Sequence, residues 1–433
     1  MLHTLKKAVP APVINLYHRV LSKFAAFVYR NPSEKLIIVG VTGTNGKTTT
    51  SYLIAKALEA VGDQTGCATT AVFKIGKTEW LNDRKMTMLG RFQLQKMLRA
   101  MVDAGCRYAV VETSSQGVLQ HRHADIHYDV CVFTNLTPEH IEAHGGFEPY
   151  KQAKLELFRH LARSSKKQIG DRIVPRVAVL NRQDPFAKEF AVPGLDKVIW
   201  YGIGEGEGIS AIDLKDEGWA TSFTIRGERG RIALPGEVNV ENAAAAIAVG
   251  EALGFELGPV MKKLATVSGV PGRFERIDEG QSFSVIVDYA PEPASLTKLY
   301  ESIKKIPHTR LIHVFGSCGG GRDIARRPIL GAMAAKEADV AFITNEDPYD
   351  DNPRDIMEQV ADGARKAGMT DEKMHLVNDR RAAIFAAIKE AQPGDLVLLT
   401  GKGCEQAIMG PQGSRTAWDE RQVAREALRA LKT

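Results

Sequence analysis

Short apolar runs alternate with helical stretches along most of this chain. LIIVGV (36–41), YAVVE (108–112), YDVCVF (128–133) and VAVLN (177–181) are nearly continuous apolar segments, the pattern of strands buried on both faces of a parallel sheet. Amphipathic helices are predicted between several of them. Near 220–233 the stretches TSFTIRG and RIALPG alternate more tightly and predict an edge hairpin. NVENAAAAIAVGEALG follows as a long Ala-rich helix. Past GVPGRFE a second strand–helix series begins, with FSVIVDY (283–289), LIHVFG (311–316), VAFIT (340–344) and LVLLTG (396–401). At 433 residues the chain is too long for one core, and two successive α/β units joined near residue 270 are the simplest partition.

Ahead of the first strand, Val13, Leu16, Tyr17, Val20, Phe24, Phe27 and Val28 recur at helical spacing. Lys6, Lys7, Arg19, Lys23 and Arg30 all precede the first acid, Glu34, so the net charge of +5 originates in this leader. Arg19 and Lys23 interrupt the stretch, which makes it a poor membrane span, and no small-residue cleavage site ends it. Two readings remain: a helix lying on an anionic membrane surface, or a helix docked on the domain behind it, the simpler of the two. Elsewhere positive and negative charges balance. The basic stripe of a nucleic-acid reader is missing, which argues against that partner. Apolar residues at 44% and charged residues at 25% are ordinary for a soluble globular protein. Five scattered cysteines without a Cys-x-x-Cys suit neither a disulfide framework nor a zinc ribbon and predict a reducing cytoplasm.

The strongest chemical signal is GVTGTNGKTTT (40–50), which follows a strand and opens a helix. Gly43 and Gly46 let backbone N–H groups approach phosphate, the helix N-terminus favours the anion, Lys47 neutralises it and Thr48 can ligate magnesium. A bound nucleoside triphosphate is the reading; a plain glycine-rich turn is the bland alternative. Glu112 ends a strand, where ligands sit in open α/β sheets, and suits a magnesium ion unless it is merely solvated. NLTPEHIEAHGG brings His140 and His144 after the next strand, and YKQAKLELF places Lys154 one helical turn beyond Tyr150. Alone, Lys154 reads as a surface lysine.

These four stretches in this order resemble the Mur ligase family, ATP-dependent amide-bond ligases of peptidoglycan synthesis, and most of all its MurE branch, which adds the third residue of the stem peptide. The likeness spans about residues 36 to 433. It implies a leader (1–33), a central P-loop parallel-sheet ATPase domain (34–269) and a smaller Rossmann-like α/β C-terminal domain that takes the amino acid (270–433). It further implies that Gly43, Thr44, Asn45, Gly46, Lys47, Thr48 and Thr49 hold the triphosphate of ATP. Thr48, Glu112 and His140 would ligate Mg2+, joined by Lys154 as a carbamate. Asn239 and Asn242 would lie near the adenine, Arg273 and Asp288 would close over ATP, and Thr87, Ser114, Ser115 and Arg122 would meet the acceptor. FGSCGGGRD supplies Arg322 for the α-carboxylate of the incoming amino acid, and GKGCE supplies Gly401 and Glu405, the latter facing an amine.

TNEDPYDDNPR (344–354) carries Asp-x-Pro twice, as Asp347-Pro348-Tyr349 and as Asp351-Asn352-Pro353-Arg354. Gapless alignment to the family puts Glu346–Tyr349 at the turn that reads the amino acid and the second copy at the start of a helix. Members that add diaminopimelate carry Asp-Asn-Pro-Arg at that turn, where the arginine clamps the distal carboxylate. Tyr349 removes that clamp, and Glu346 and Asp347 add negative charge suited to a side-chain ammonium. Lysine or ornithine is therefore expected over diaminopimelate.

The departures gather near the acceptor. Thr87-Met88-Leu89-Gly90 stands where the family often has Thr-Thr-Pro, and Gln116, Pro291 and Cys404 replace histidines. Only 35 residues precede the first strand, too few for the uridine-nucleotide-binding domain of MurE-type ligases. The expected acceptor is a UDP-MurNAc-dipeptide or a similar molecule. Rival readings are a ligase of the same fold on a lipid-linked, free-peptide or polyglutamate acceptor, or an inactive nucleotide-binding partner subunit. A cytoplasmic monomer, with peripheral membrane contact open through the leader, completes the expectation.

Overall fold

The computed structural model describes residues 11–138, 144–321 and 324–432. His140 and Arg322, both singled out above, lie outside the described residues. The chain divides into two compact units. The first takes in Met1–Trp80, Met86–Ala233 and Glu237–Ser268; the second takes in Leu81–Lys85, Leu234–Gly236 and Gly269–Thr433. Both are α/β.

The first unit's sheet has a parallel run in the spatial order Ile209–Asp216, Lys197–Ile203, Val177–Asn181, Val130–Phe133, Ile37–Thr42, Tyr108–Glu112 and Thr65–Ala68. The expected hairpin, Thr221–Ile225 with Glu228–Ile232, extends one edge antiparallel, and Val72–Ile75 pairs antiparallel with Thr65–Ala68 at the other. Leu94, Leu98, Leu157 and Phe158, from the helices Arg91–Asp103 and Phe147–Arg163, pack with Ile38, Val111 and Phe133 of the sheet. The helices Lys47–Leu58 and Glu237–Ala252 pack on one another and on the sheet as well. Cover on both faces is what makes the central strands read as unbroken apolar runs.

In the second unit the strand order is Glu275–Ile277, Ser284–Val287, Leu396–Leu399, Leu311–Phe315, Val340–Thr344 and Met374–Val377, parallel after the first pair. Its core joins Val285, Val314, Phe342 and Val397 to Ile384, Ile388, Val423 and Leu428 of two covering helices.

Ala11–Val28 is a helix, and it does pack on Arg91–Asp103. It does so through the face opposite to the one a docked amphipathic helix buries. Ser22, Ala25 and Ala26 are buried, whereas Val13, Leu16, Tyr17, Val20, Phe24, Phe27 and Val28 are exposed. Small side chains admit the helix closely and the bulky stripe stays outside. Among the described residues no helix is long and apolar enough to cross a membrane.

Two buried histidines make the fold acid-sensitive. Burial first, and then the neighbours His160 and His121, push the pKa of His123 down to about 3. Burial and Arg380 do the same for His313, also to about 3, which is held between the Tyr300 hydroxyl at 2.8 Å and Thr400 Oγ1 at 2.9 Å. In the unfolded chain a histidine titrates near pH 6.5, so below that pH the unfolded state binds more protons and stability falls as pH falls. At pH 5 the expected loss is about 2 kcal/mol per histidine relative to neutral pH. Urea unfolding at the two pH values measures it. His123→Phe is expected to reduce the loss by about 2 kcal/mol; an unchanged pH dependence refutes the assignment.

Candidate active site

In the first unit the C-terminal ends of three adjacent strands converge. Ile37–Thr42 leads into the glycine loop, its neighbour Tyr108–Glu112 ends on a carboxylate, and its other neighbour Val130–Phe133 leads into Thr134 and Asn135. Thr44 N–H donates to Asn135 O at 2.8 Å, Asn45 N–H to Asn135 Oδ1 at 2.8 Å, and Thr134 Oγ1 to Asn45 O at 2.7 Å. Gly43 has φ of +148°, and a Cβ there would lie 1.9 Å from Thr134 Oγ1, so this close approach requires glycine. Gly46 caps the helix that starts at Lys47. Lys47 Nζ donates back to Thr44 O at 2.6 Å. Thr48 is buried on the first turn and Thr49 half-buried beside it.

Glu112 is buried rather than solvated. It accepts from Thr48 Oγ1 at 3.1 Å on both oxygens, from Thr70 N–H at 2.7 Å and from Thr70 Oγ1 at 3.0 Å. Thr70 Oγ1 in turn reaches Thr87 Oγ1 at 3.1 Å. Among the described residues no lysine or arginine forms an ion pair with Glu112, and the donors recorded on it, from Thr48 and Thr70, are neutral. A carboxylate and a hydroxyl side by side, desolvated and without a cation, are the hard oxygen donors that suit Mg2+.

Lys154 is 1% exposed, not a surface lysine. Its Nζ donates to Gly43 O and stands 4.4 Å from the Tyr150 ring centroid, while the Tyr150 hydroxyl meets Thr44 Oγ1 at 3.1 Å. Lys154 is thus brought onto the glycine loop from a distant helix. Asn242 accepts from Thr50 Oγ1 at 2.8 Å, on the helix behind the loop, and its Nδ2 lies 3.5 Å from Asn239 Oδ1.

The acceptor candidates stand a short way along the sheet edge. Ser114 caps the helix Ser115–Leu119 by accepting from Gly117 N–H at 3.1 Å. Ser115 Oγ and Gln116 Nε2 both meet His144 Nε2, at 3.1 and 3.4 Å. Arg122 donates to Met88 O and, at 3.1 Å, to Gln120 Oε1.

In the second unit Arg273 lies over the Tyr289 ring at 4.2 Å. Asp288 accepts from Phe274 N–H at 2.7 Å and Ala290 N–H at 2.8 Å; burial raises its pKa while Arg273 opposes the rise. Tyr349 has φ of +52°, an uncommon conformation for a bulky residue. Its ring packs so closely on Gly320 that a Cβ there would sit 2.7 Å away. Asn352 caps the helix Pro353–Lys366, and Arg354 on that helix pairs with Glu358 at 2.8 Å. Gly401 N–H donates to Tyr289 O at 3.2 Å.

The negative charge at the turn, expected to suit a side-chain ammonium, already has partners within the chain. Glu346 is buried and accepts from the Cys318 thiol at 2.9 Å. Asp347 is held by Lys402 Nζ at 2.9 Å, Lys85 Nζ at 2.8 Å and Met409 N–H at 2.7 Å. Both lysines also meet Glu405, Lys85 at 3.1 Å. Burial raises the Asp347 pKa, but Lys402 and Lys85 outweigh it and hold the group below the usual carboxylate range. Sequence reasoning missed Thr70, Asn135, Lys85 and Lys402. Lys402, inside GKGCE, and Asn135, which opens NLTPEHIEAHGG, carried a signal; Lys85 lies 262 residues from its partner Asp347.

A glycine loop closing a central parallel strand, backed by a lysine, a threonine and a buried carboxylate, defines a P-loop α/β enzyme. The chain matches the Mur ligase middle domain over residues 41–250 and the Mur ligase glutamate ligase domain over residues 272–403. It is 37% identical to the UDP-N-acetylmuramyl-tripeptide synthetase of Roseiflexus sp. (strain RS-1), over 98% of this chain and 85% of that one. It is 36% identical to the UDP-N-acetylmuramoyl-L-alanyl-D-glutamate--2,6-diaminopimelate ligase of Geobacillus thermodenitrificans (strain NG80-2), over 97% and 84%. A solved diaminopimelate ligase structure superimposes with a TM-score of 0.62 at 29% identity, covering 92% of this chain and 79% of that one. The chain belongs to the Mur ligase family and is MurE-like: an ATP-dependent, ADP-forming amide ligase of peptidoglycan synthesis, in a family that uses ATP and Mg2+.

Proposed function

We propose that this ligase joins lysine or ornithine, in preference to diaminopimelate, to a UDP-MurNAc-dipeptide-like acceptor. Residues 34–269 carry the ATP site and residues 270–433 the amino-acid site. The acceptor carboxylate oxygen attacks the γ-phosphorus of ATP, ADP leaves, and an acyl phosphate forms. The α-amine of the amino acid then attacks that carbonyl carbon, phosphate departs from the tetrahedral intermediate, and the amine gives up a proton as the amide forms. A free carboxylate is inert to amines because its leaving group would be oxide; phosphorylation removes that obstacle.

The loop Gly43–Thr49 cradles the phosphates, and Lys47 offsets anion repulsion. Thr48 and Glu112 would hold Mg2+, with His140 and Lys154 as its carbamate completing the set; bound there, the metal would supply charge neutralisation for phosphoryl transfer. Asn239, Asn242, Arg273 and Asp288 serve the nucleotide, and Thr87, Ser114, Ser115 and Arg122 the acceptor. Arg322, Asp347, Tyr349, Gly401 and Glu405 serve the amino acid. The observation that carries the ligase reading is Glu112, buried at the end of its strand and accepting from the Thr48 hydroxyl of the glycine loop's helix.

The amino-acid preference rests on Tyr349 occupying the turn while Arg354 is engaged with Glu358 on a helix. A diaminopimelate reading has one observation in its favour: Asp347 is already neutralised by Lys85 and Lys402, ammonium groups that a distal carboxylate would also attract. Mass spectrometry of products from UDP-linked dipeptide, ATP and mixed amino acids decides between them. Lysine or ornithine product is expected in the natural chain, and Tyr349→Arg is expected to move the preference toward diaminopimelate by roughly 10- to 100-fold, the worth of a charge-assisted hydrogen bond. Preference for diaminopimelate before the substitution defeats the assignment.

A further inference from the structure

We propose that the helix Ala11–Val28 is a membrane-surface anchor that seats the first unit on an anionic bilayer. At 100° per residue its seven bulky apolar side chains, Val13 through Val28, fall within a sector of about 120°. Leu16 is 63% exposed and Phe27 73% exposed. Stable monomers seldom leave so continuous an apolar surface in water. The stripe continues onto the neighbouring helix through Phe92, which is itself exposed and whose ring lies 6.0 Å from that of Phe24. The opposite face is already taken, because Ser22, Ala25 and Ala26 are buried. The helix is therefore held by its small-residue face with its apolar face presented outward.

Charge selects the occupant. Arg19 and Lys23 stand on one shoulder of the stripe, Lys6, Lys7 and Arg30 flank it in sequence, and no acidic residue occurs before Glu34. An apolar stripe with basic shoulders is the composition of an interfacial helix, its apolar side chains entering the acyl boundary and its cations reaching the headgroups. A second copy of the chain fits less well. Antiparallel pairing of two stripes about Val20 brings Arg19 and Lys23 of both copies to the same side, like charge against like charge. With no helix among the described residues able to cross a membrane, the geometry is that of a helix lying in the plane. This inference is independent of how the catalytic site is read.

The test uses the full chain in co-sedimentation with phosphatidylcholine vesicles, with and without phosphatidylglycerol, at low and high salt, alongside analytical ultracentrifugation. Binding to the anionic vesicles is expected, weakened by salt. Arg19→Gln with Lys23→Gln is expected to reduce it about 25-fold, about fivefold per charge. Leu16→Glu with Phe27→Glu is expected to reduce it at least ~100-fold, by removing two buried apolar groups. Because these side chains are exposed, the melting temperature stays unchanged. Four results overturn the proposal: no vesicle binding, binding indifferent to Leu16→Glu with Phe27→Glu, a dimer that this double variant dissociates, or binding that appears only after residues 1–10 are deleted.

Discussion

Lys154→Met is expected to lower amino-acid-dependent phosphate release on the order of 10³-fold while nucleotide affinity changes little, a size typical of removing one preorganised polar group from a reaction centre. Methionine fills the same buried space, so the helix Phe147–Arg163 keeps its packing against the sheet. What is lost is the nitrogen that reaches Gly43 O from beside the Tyr150 ring. Two roles for that nitrogen give different results. As a carbamate it becomes a magnesium ligand: Lys154→Arg is then as inactive as Lys154→Met, removing dissolved CO2 slows the natural enzyme, and short carboxylic acids partly restore Lys154→Ala. As an ammonium it braces the loop: Lys154→Arg then keeps much of the rate and CO2 has no effect. Full activity in Lys154→Met rejects both roles.

The strands with strong sequence signals were those buried on both faces, because only there does every position have to be apolar. Tyr108–Glu112, Val177–Asn181 and Val340–Thr344 begin and end where their apolar runs do. Ile209–Asp216 carried no such signal, since its burial fades along its length and its outer half faces solvent beside the edge hairpin. Glu275–Ile277 and Met374–Val377 are short edge strands whose polar residues are allowed by one-sided burial. The leader shows the limit of periodicity. Spacing alone placed the helix and its stripe, yet which face docks depended on the small residues Ser22, Ala25 and Ala26, which carry no hydrophobic signal.

The glycine loop was legible because its chemistry is local: two glycines, a lysine and a threonine within six residues, between a strand and a helix. Glu112 and Lys154 were visible as residue types but not in their environment. A strand-end carboxylate and a helical lysine are ordinarily wet, and only the fold brings Thr70 to the former and Gly43 to the latter. The turn at Asp347 was read for its charge alone. Its neutralisation depends on Lys85, which belongs to the same compact unit through a five-residue segment far away in sequence. No pattern of spacing reports such a partner.

That cluster carries a large stability effect for a single change. Lys402 is fully buried, with Nζ donating to Asp347 Oδ1 at 2.9 Å and to Glu405. Burial alone would lower its pKa; Glu405 and Asp347 outweigh it and raise the value instead. Lys402→Met leaves the two carboxylates sharing Lys85, with Met409 N–H still on Asp347, and breaking a buried pair by removing one partner costs about 3–5 kcal/mol. The melting transition of the second unit is expected to fall by roughly 10 °C, on the scale of a domain of this size. Acid should narrow the difference. In the natural chain Asp347 sits below its unfolded pKa, so its stabilisation is lost as pH falls. In the variant its pKa rises above the unfolded value, so protonation favours the folded state as pH falls. Adding Asp347→Asn to Lys402→Met should restore most of the loss. Calorimetry across the pH range measures all three chains. A Lys402→Met protein that melts with the natural one, or a gap that widens in acid, would mean that water rather than Lys402 balances these carboxylates. The turn would then be open to a substrate ammonium after all.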